Sequence, residues 1–187
     1  MELKCERKRN IKQLERIMSM PTVGNLILEV GIPKEKNERS IFNGSETTNA
    51  VIGYLNEFGS IGKIPVAGID GKHIEVKIPP RPHLRPGFKR SINFIRVQLK
   101  KGLRDKLLNG GNKYKFYLNE CGSFAIRNVK RIITSGELEP LHKVGKAIRY
   151  LRNKKRFRNY EVDDAKPLLD TRQYYSALSY KVRNKWD

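Results

Sequence analysis

The chain has 187 residues, with 39 Lys and Arg against 19 Asp and Glu, a formal charge of +20. That length allows one ordinary domain, or a domain with an arm, and a core that needs neither disulfides nor metal. The charge points to an acidic partner, nucleic acid or an acidic protein surface, unless the bases only solvate exposed helices.

No apolar run approaches the roughly 20 residues of a membrane span. The first residues, MELKCERKRN, have no apolar signal core, so the cytoplasm is the expected compartment and no membrane partner is expected. Cys5 and Cys121 form no C-x-x-C motif and read as free thiols. His73, His83 and His142 lack metal-ligand spacing, and a P-loop, a dinucleotide glycine fingerprint and a nucleophile elbow are absent. Glu57 or Asp170 could serve a hydrolase, but nothing in the sequence pairs a second group with either. Neither a cofactor nor an enzymatic activity is expected.

Residues 1–21 carry Leu3, Ile11, Leu14, Ile17 and Met18 among many charges, the pattern of a basic N-terminal helix or arm ended by Met20-Pro21. Residues 22–187 are expected to form a single α+β domain. Leu26 to Ile32 reads as a strand closed by Pro33, and Lys34 to Ser40 as a polar loop. Asn49 to Ser60 is apolar, and its periodicity fits a strand or a short helix. Asp70-Gly71 suits a tight turn, and after it Ile74, Val76 and Ile78 alternate with His73, Glu75 and Lys77. A β-hairpin inserted over residues 60–80 and projecting from the body is predicted.

Pro79, Pro80, Pro82 and Pro86 make the next stretch extended and stiff. From Phe88 a helix of about five turns is predicted, with Phe88, Ile92, Ile95, Leu99, Leu103 and Leu107 on one face. Its other face holds Lys89, Arg90, Arg96, Lys100 and Arg104. A second helix is predicted from about Tyr114 to Thr134, with Cys121 inside its apolar face as a small core residue. A third starts near Pro140 and is basic on its outer faces through Lys143, Lys146, Arg149 and Arg152. Lys154, Lys155, Arg156 and Arg158 extend that run, with Tyr150, Phe157 and Tyr160 interleaved for stacking. These bases are the candidate contacts for DNA or an acidic partner.

The chain closes with KPLLDTRQYYSALSYKVRN. Pro167 stiffens the approach, Asp170 or Thr171 can cap a turn, and Leu178, Tyr180 and Val182 alternate as a strand. A terminal strand of this kind returns to a sheet built earlier. The expected architecture is a small, mostly antiparallel sheet packed against two or three amphipathic helices.

Four segments in order, LEVGI (Leu28–Ile32), NAVIGYLNEFG (Asn49–Gly59), IPPRPHLRP (Ile78–Pro86) and KPLLDTRQYYSALSYKV (Lys166–Val182), are similar to a known pattern. They resemble the tail-completion, or head-to-tail joining, proteins of tailed bacteriophages, over most of the chain. Three departures stand out: Arg172 where the pattern has glycine, Tyr174-Tyr175 for a leucine and a polar residue, and His83 for phenylalanine. A glycine there would permit positive φ, so Arg172 implies either a more regular turn or strain.

The resemblance implies a structural virion protein that forms a homo-oligomeric ring in the neck, between the portal or connector and the tail-tube or tail-terminator proteins. Glu57, Phe58, Gly59, Asp70, Gly71, Arg81 and Pro82 would then lie where subunits or neighbours meet, or else hold the chain's own turns. Pro167, Asp170, Thr171 and Tyr180 would form a C-terminal structural motif that positions the last strand. The basic face would meet acidic neighbours or genomic DNA in the channel. A stand-alone basic nucleic-acid-binding protein is the alternative.

Overall fold

The computed structural model describes residues 26–38, 47–67, 73–109, 113–141, 143–154, 161, 165–169 and 172–185. In chain order these form β1 (Leu26–Gly31), a 3-10 turn (Lys34–Lys36), α1 (Asn49–Phe58), β2 (Ile64–Ala67) and β3 (His73–Val76). Then follow α2 (Leu84–Asn109), α3 (Tyr114–Ser135), α4 (Lys143–Lys154), α5 (Gln173–Ala177) and β4 (Ser179–Asn184). The predicted arm over 1–21, the Asp70-Gly71 turn, Lys155, Arg156 and Arg158, and the Asp170-Thr171 cap lie outside the described residues.

Helix α3 forms because its apolar residues return every three or four positions. Leu118, Cys121, Ala125, Val129, Ile132 and Ile133 are all buried, and Cys121 takes the core place expected of it. Helix α2 packs against α3 and runs in the opposite direction: Ser91 meets Asn128, Phe94 stacks on Phe124 at 4.1 Å, and Gly102 lies beside Tyr117. The predicted stripe on α2 is only partly right. Phe88 and Leu103 face solvent, whereas the buried positions are Gly87, Ser91 and Gly102. The backbones approach too closely for long side chains there. A Cβ at Gly87 would stand 2.7 Å from the Val129 Cα.

Among the described residues the strands form two two-stranded antiparallel sheets, the small sheet expected against the helices and the hairpin. β1 pairs with β4 from Leu26↔Asn184 to Gly31↔Ser179, so the last strand does return to the first. This sheet lies on α3 at Gly122, where an added Cβ would fall 2.3 Å from the Tyr180 ring. Cross-strand charge reinforces the pairing, since Arg183 Nε donates to Glu29 Oε1 at 2.8 Å. β2 and β3 pair only with each other among the described strands, from Ile64↔Val76 to Ala67↔His73, within the predicted hairpin. Between the layers sit Val129, Ile132, Ile133, Leu138, Leu168, Tyr174 and Leu178.

The ambiguous segment at Asn49 is a helix. Thr48 caps it, its hydroxyl accepting from the Val51 N–H at 3.4 Å. The buried Asn49 side chain donates to the Lys36 and Glu38 carbonyls and ties α1 to the chain before it. Gly59 ends α1 at φ 79°, and a Cβ there would lie 3.0 Å from the Ile78 carbonyl oxygen. Ser60 then closes the hairpin base: its N–H donates to the Ile78 carbonyl, and its Oγ accepts from the Ile78 N–H. Helix α4 starts at Lys143 rather than near Pro140, whose carbonyl is held by Arg81. Arg172 takes the left-handed conformation, φ 56° and ψ 0°, just before α5, so strain rather than a regular turn is the outcome.

Candidate functional site: a buried helix cap and the surfaces beside it

Helix α2 begins at Leu84, four residues before the predicted start at Phe88, and the cause lies on another element. The first turn of any helix leaves N–H groups without intrahelical acceptors. Here Glu57, on the last turn of α1, supplies one carboxylate for them. Its Oε2 accepts from the His83 N–H at 2.8 Å and the Leu84 N–H at 2.9 Å. Its Oε1 accepts from the Arg85 N–H at 3.0 Å and Arg85 Nε at 3.1 Å. Pro86 has no N–H to satisfy, and the Gly87 N–H reaches the His83 carbonyl at 3.1 Å. Every donor at the start of α2 is therefore accounted for.

Burial alone would raise the Glu57 pKa. The N–H groups of His83, Arg85 and Leu84, with the Arg85 side chain, outweigh it and hold the carboxyl below its ordinary value. The positive end of the helix dipole lies at the same point and favours the anion too.

His83, which is fully buried, extends the network. Its Nδ1 faces only acceptors, the Arg81 carbonyl at 3.0 Å and Glu57 Oε2 at 3.4 Å, so it carries the ring proton. Nε2 is then the acceptor, and the Tyr174 hydroxyl of α5 donates to it at 2.5 Å. Burial lowers the His83 pKa against the opposing pull of the Arg81 carbonyl and Glu57, and the ring is neutral. Burial, then the Glu57 charge, raises that of Tyr174 and keeps its phenol protonated. Gly53 on α1 leaves room for this ring, since a Cβ there would lie 2.9 Å from the Tyr174 hydroxyl. His83 and Tyr174 face each other and form a hydrogen-bonded polar pair, with Tyr174 also packed in the apolar core.

The sequence-predicted residues thus divide. Glu57, Gly59 and Arg81 are buried and serve the chain's own turns, while Phe58 and Pro82 are exposed. Arg81 donates through Nε to the Glu139 carbonyl at 2.7 Å and through Nη2 to the Pro140 carbonyl at 3.0 Å, holding the segment that follows α3. Pro167 is buried and Tyr180 lies half-buried against Gly122. Tyr174 was not singled out as a site residue. Its signal was the tyrosine at an expected leucine, which acquires meaning only beside His83.

Of the bases expected to meet DNA or an acidic partner, only part falls among the described residues. On α4, Lys143 is exposed, Lys146 is half-buried, and half-buried Arg149 donates through Nη1 to the carbonyl of exposed Lys166 at 2.6 Å. Arg152 and Lys154 fall in the same helix. On α2, by contrast, Lys89, Arg96, Lys100 and Arg104 are all exposed along one side, and no acidic partner is present for them among the described residues. Among the described residues, no group of His, Cys, Asp and Glu is arranged to hold a metal ion, and no helix is long and apolar enough to cross a membrane.

Glu57→Gln tests the cap. The amide offers a single acceptor oxygen and turns an NH2 toward backbone donors, so a loss of about 2–3 kcal/mol is expected in urea unfolding. An unchanged midpoint would remove Glu57 from this role.

The network also sets a pH dependence. An unfolded His83 titrates near 6.5 while the folded one stays neutral to lower pH, so below 6.5 the unfolded state binds the extra proton. Stability therefore falls with acidification from about pH 6.5, and Glu57 adds a second loss as the pH drops from its ordinary 4.5 through its lower folded value. Urea midpoints should decline between about pH 7 and pH 5 in the parent and be flatter in the His83→Phe/Tyr174→Phe double variant. Equal slopes would show that this pair does not set the dependence.

No family model matches this chain, and neither a curated protein nor a solved structure matches it.

Proposed function

We propose that this protein is a structural part of a tailed-bacteriophage particle, forming a ring in the neck that joins the DNA-filled head to the tail. One observation carries this reading. The four segments that resemble the head-to-tail joining proteins, although spread from Leu28 to Val182, are bound to one another in space. β1 pairs with β4, Glu57 of the second segment caps the helix begun by the third, and His83 of the third accepts a hydrogen bond from the Tyr174 hydroxyl of the fourth. Segments that occur together have a physical reason to do so when they meet in space, and the strand pair and the Glu57 cap, unlike the His83–Tyr174 bond, are made by residues that fit the pattern. In this role the work is geometric: many copies each add a modest interface, and closure of the ring makes the sum large. The portal or connector on one side and tail-tube or tail-terminator proteins on the other are the partners it implies, and no catalytic step is assigned.

A second reading, direct contact with nucleic acid, draws on the four bases of α2 that have no acidic partner among the described residues. The helix has 26 residues, about 39 Å at 1.5 Å per residue, and its back is held by α3. A rigid row of Lys89, Arg96, Lys100 and Arg104 fits a phosphate backbone, either as DNA in the neck channel or as the ligand of a stand-alone binding protein.

Particles made after disruption of the gene, viewed by electron microscopy, test the first reading. Filled heads and finished tails that fail to join are expected; intact infectious virions would overturn it. For the second, duplex binding is titrated with salt for the parent and for a variant with Lys89, Arg96, Lys100 and Arg104 all changed to Ala. Loss of as many as four phosphate contacts would flatten the slope of log affinity against log salt by about 3–4 units, at ~0.9 per contact. An unchanged slope would take α2 out of the contact.

A further inference from the structure

Helix α1 has two unlike faces. Its inner face is anchored through Gly53 against Tyr174, through Ile52 against the core, and through Glu57 at the start of α2. Its outer face carries Val51, Tyr54 and Phe58, spaced i, i+3 and i+7, and these are 47%, 62% and 53% exposed. Ile61, just beyond the helix end, is fully exposed. Single exposed apolar side chains are ordinary, but a continuous row of them marks a contact surface.

This row is also stiff. The Tyr54 and Phe58 rings are 4.9 Å apart, and the Arg85 guanidinium carbon stands 4.6 Å from the Phe58 ring centroid. Arg85 is itself fixed by Glu57. Aromatic and arginine side chains held in place before binding lose little freedom on contact, the property of binding hot spots.

Charge selects the occupant. In a chain of formal charge +20, the longest gap without a Lys or Arg runs from Arg39 to Lys63 and contains all four apolar residues of this row. Two bases that border it are paired with acids: Arg85 with Glu57, and Lys63 with Glu75 at 3.8 Å. An acidic partner would be drawn to the unpaired row on α2 instead. Two like-charged copies can approach closely only where their own charge is compensated, and this face meets that condition.

We propose that the Val51–Tyr54–Phe58–Ile61 face of α1 is the docking surface for a second copy of this chain. Its place as the subunit contact of a ring rests on the neck reading, whereas self-association through it does not. Phe58 thereby keeps the interface role expected from the sequence, while its neighbour Glu57 works inside the subunit.

The test is sedimentation velocity of the full chain over a wide concentration range, at low and high salt. Self-association that strengthens with salt is expected, because salt screens the repulsion between copies while the apolar contact persists. Tyr54→Lys with Ile61→Lys should weaken it by about thirtyfold or more, the size of a hot-spot loss, with an unchanged thermal melt. Tyr54→Phe should retain it. A parent chain that stays monomeric throughout overturns the proposal, as does association that the paired lysines leave intact. A closed dimer abolished by those lysines would uphold the contact and remove the ring, and virions that are intact without the protein would remove the neck role alone.

Discussion

The carboxylate of Glu57 is the point on which the arrangement depends. It ends one helix and begins another, and the chain between them, including the whole β2–β3 hairpin, is thereby a closed excursion whose ends are fixed. Four hydrogen bonds converge on its two oxygens, three from backbone N–H groups and one from Arg85. Because those N–H groups belong to the first turn of α2, the cap sets both where that helix starts and the direction in which it leaves. The direction matters because α2 then meets α3 through Gly87 and Ser91 at a distance that tolerates no displacement by a side chain.

Placing an anion and an imidazole in the interior carries a desolvation cost, and the chain offsets it by leaving their polar atoms engaged. An apolar core at the same point could be as stable or more so. What the polar arrangement adds is specificity of position. A hydrophobic contact accepts small shifts, whereas the Tyr174–His83–Arg81 chain of donors and acceptors is satisfied in one geometry. That links α5, and through it β4, to the start of α2. The terminal strand is consequently held from two directions, by its register with β1 and by the tyrosine that precedes it by one turn.

The described surface separates into two kinds of region. Along α2, Lys89, Arg96, Lys100 and Arg104 stand without acidic partners among the described residues, while beside α1 Arg85 is matched by Glu57 and Lys63 by Glu75. A single electrostatic design can therefore serve opposite ends: one face attracts polyanions or acidic proteins, and the other permits apolar contact between like-charged copies. The cap contributes to both, since the same Glu57 that orders α2 also neutralises Arg85 and so steadies the Phe58 ring.

Elements governed by local periodicity were legible in the amino-acid sequence: the α3 face through Cys121 and Val129, the hairpin around residues 60–80, the first strand, and the terminal strand through Tyr180. Those need only that apolar residues recur at the spacing of the element that buries them. The segment at Asn49 stayed ambiguous because a short apolar run has no distinguishing period, and it is resolved by Thr48 and by Asn37, whose Oδ1 accepts from the Ala50 N–H at 2.8 Å, which satisfy donors of a helix start. Periodicity also misplaced the beginning of α2, because its cap comes from Glu57, far back in the chain, and it misjudged Phe88 and Leu103 because close approach to α3 favours glycine and serine over bulk. Apart from the Asn49 segment, the sequence by itself determined which of the longer segments are helical or extended, and how strongly basic the chain is, since these follow from neighbours a few residues apart. Only the tertiary structure decided that His83 and Tyr174 are partners, that Arg149 is held by the Lys166 carbonyl, and that Phe58 is exposed beside a buried Glu57. Each of those depends on which groups the fold brings within hydrogen-bonding reach or leaves in water.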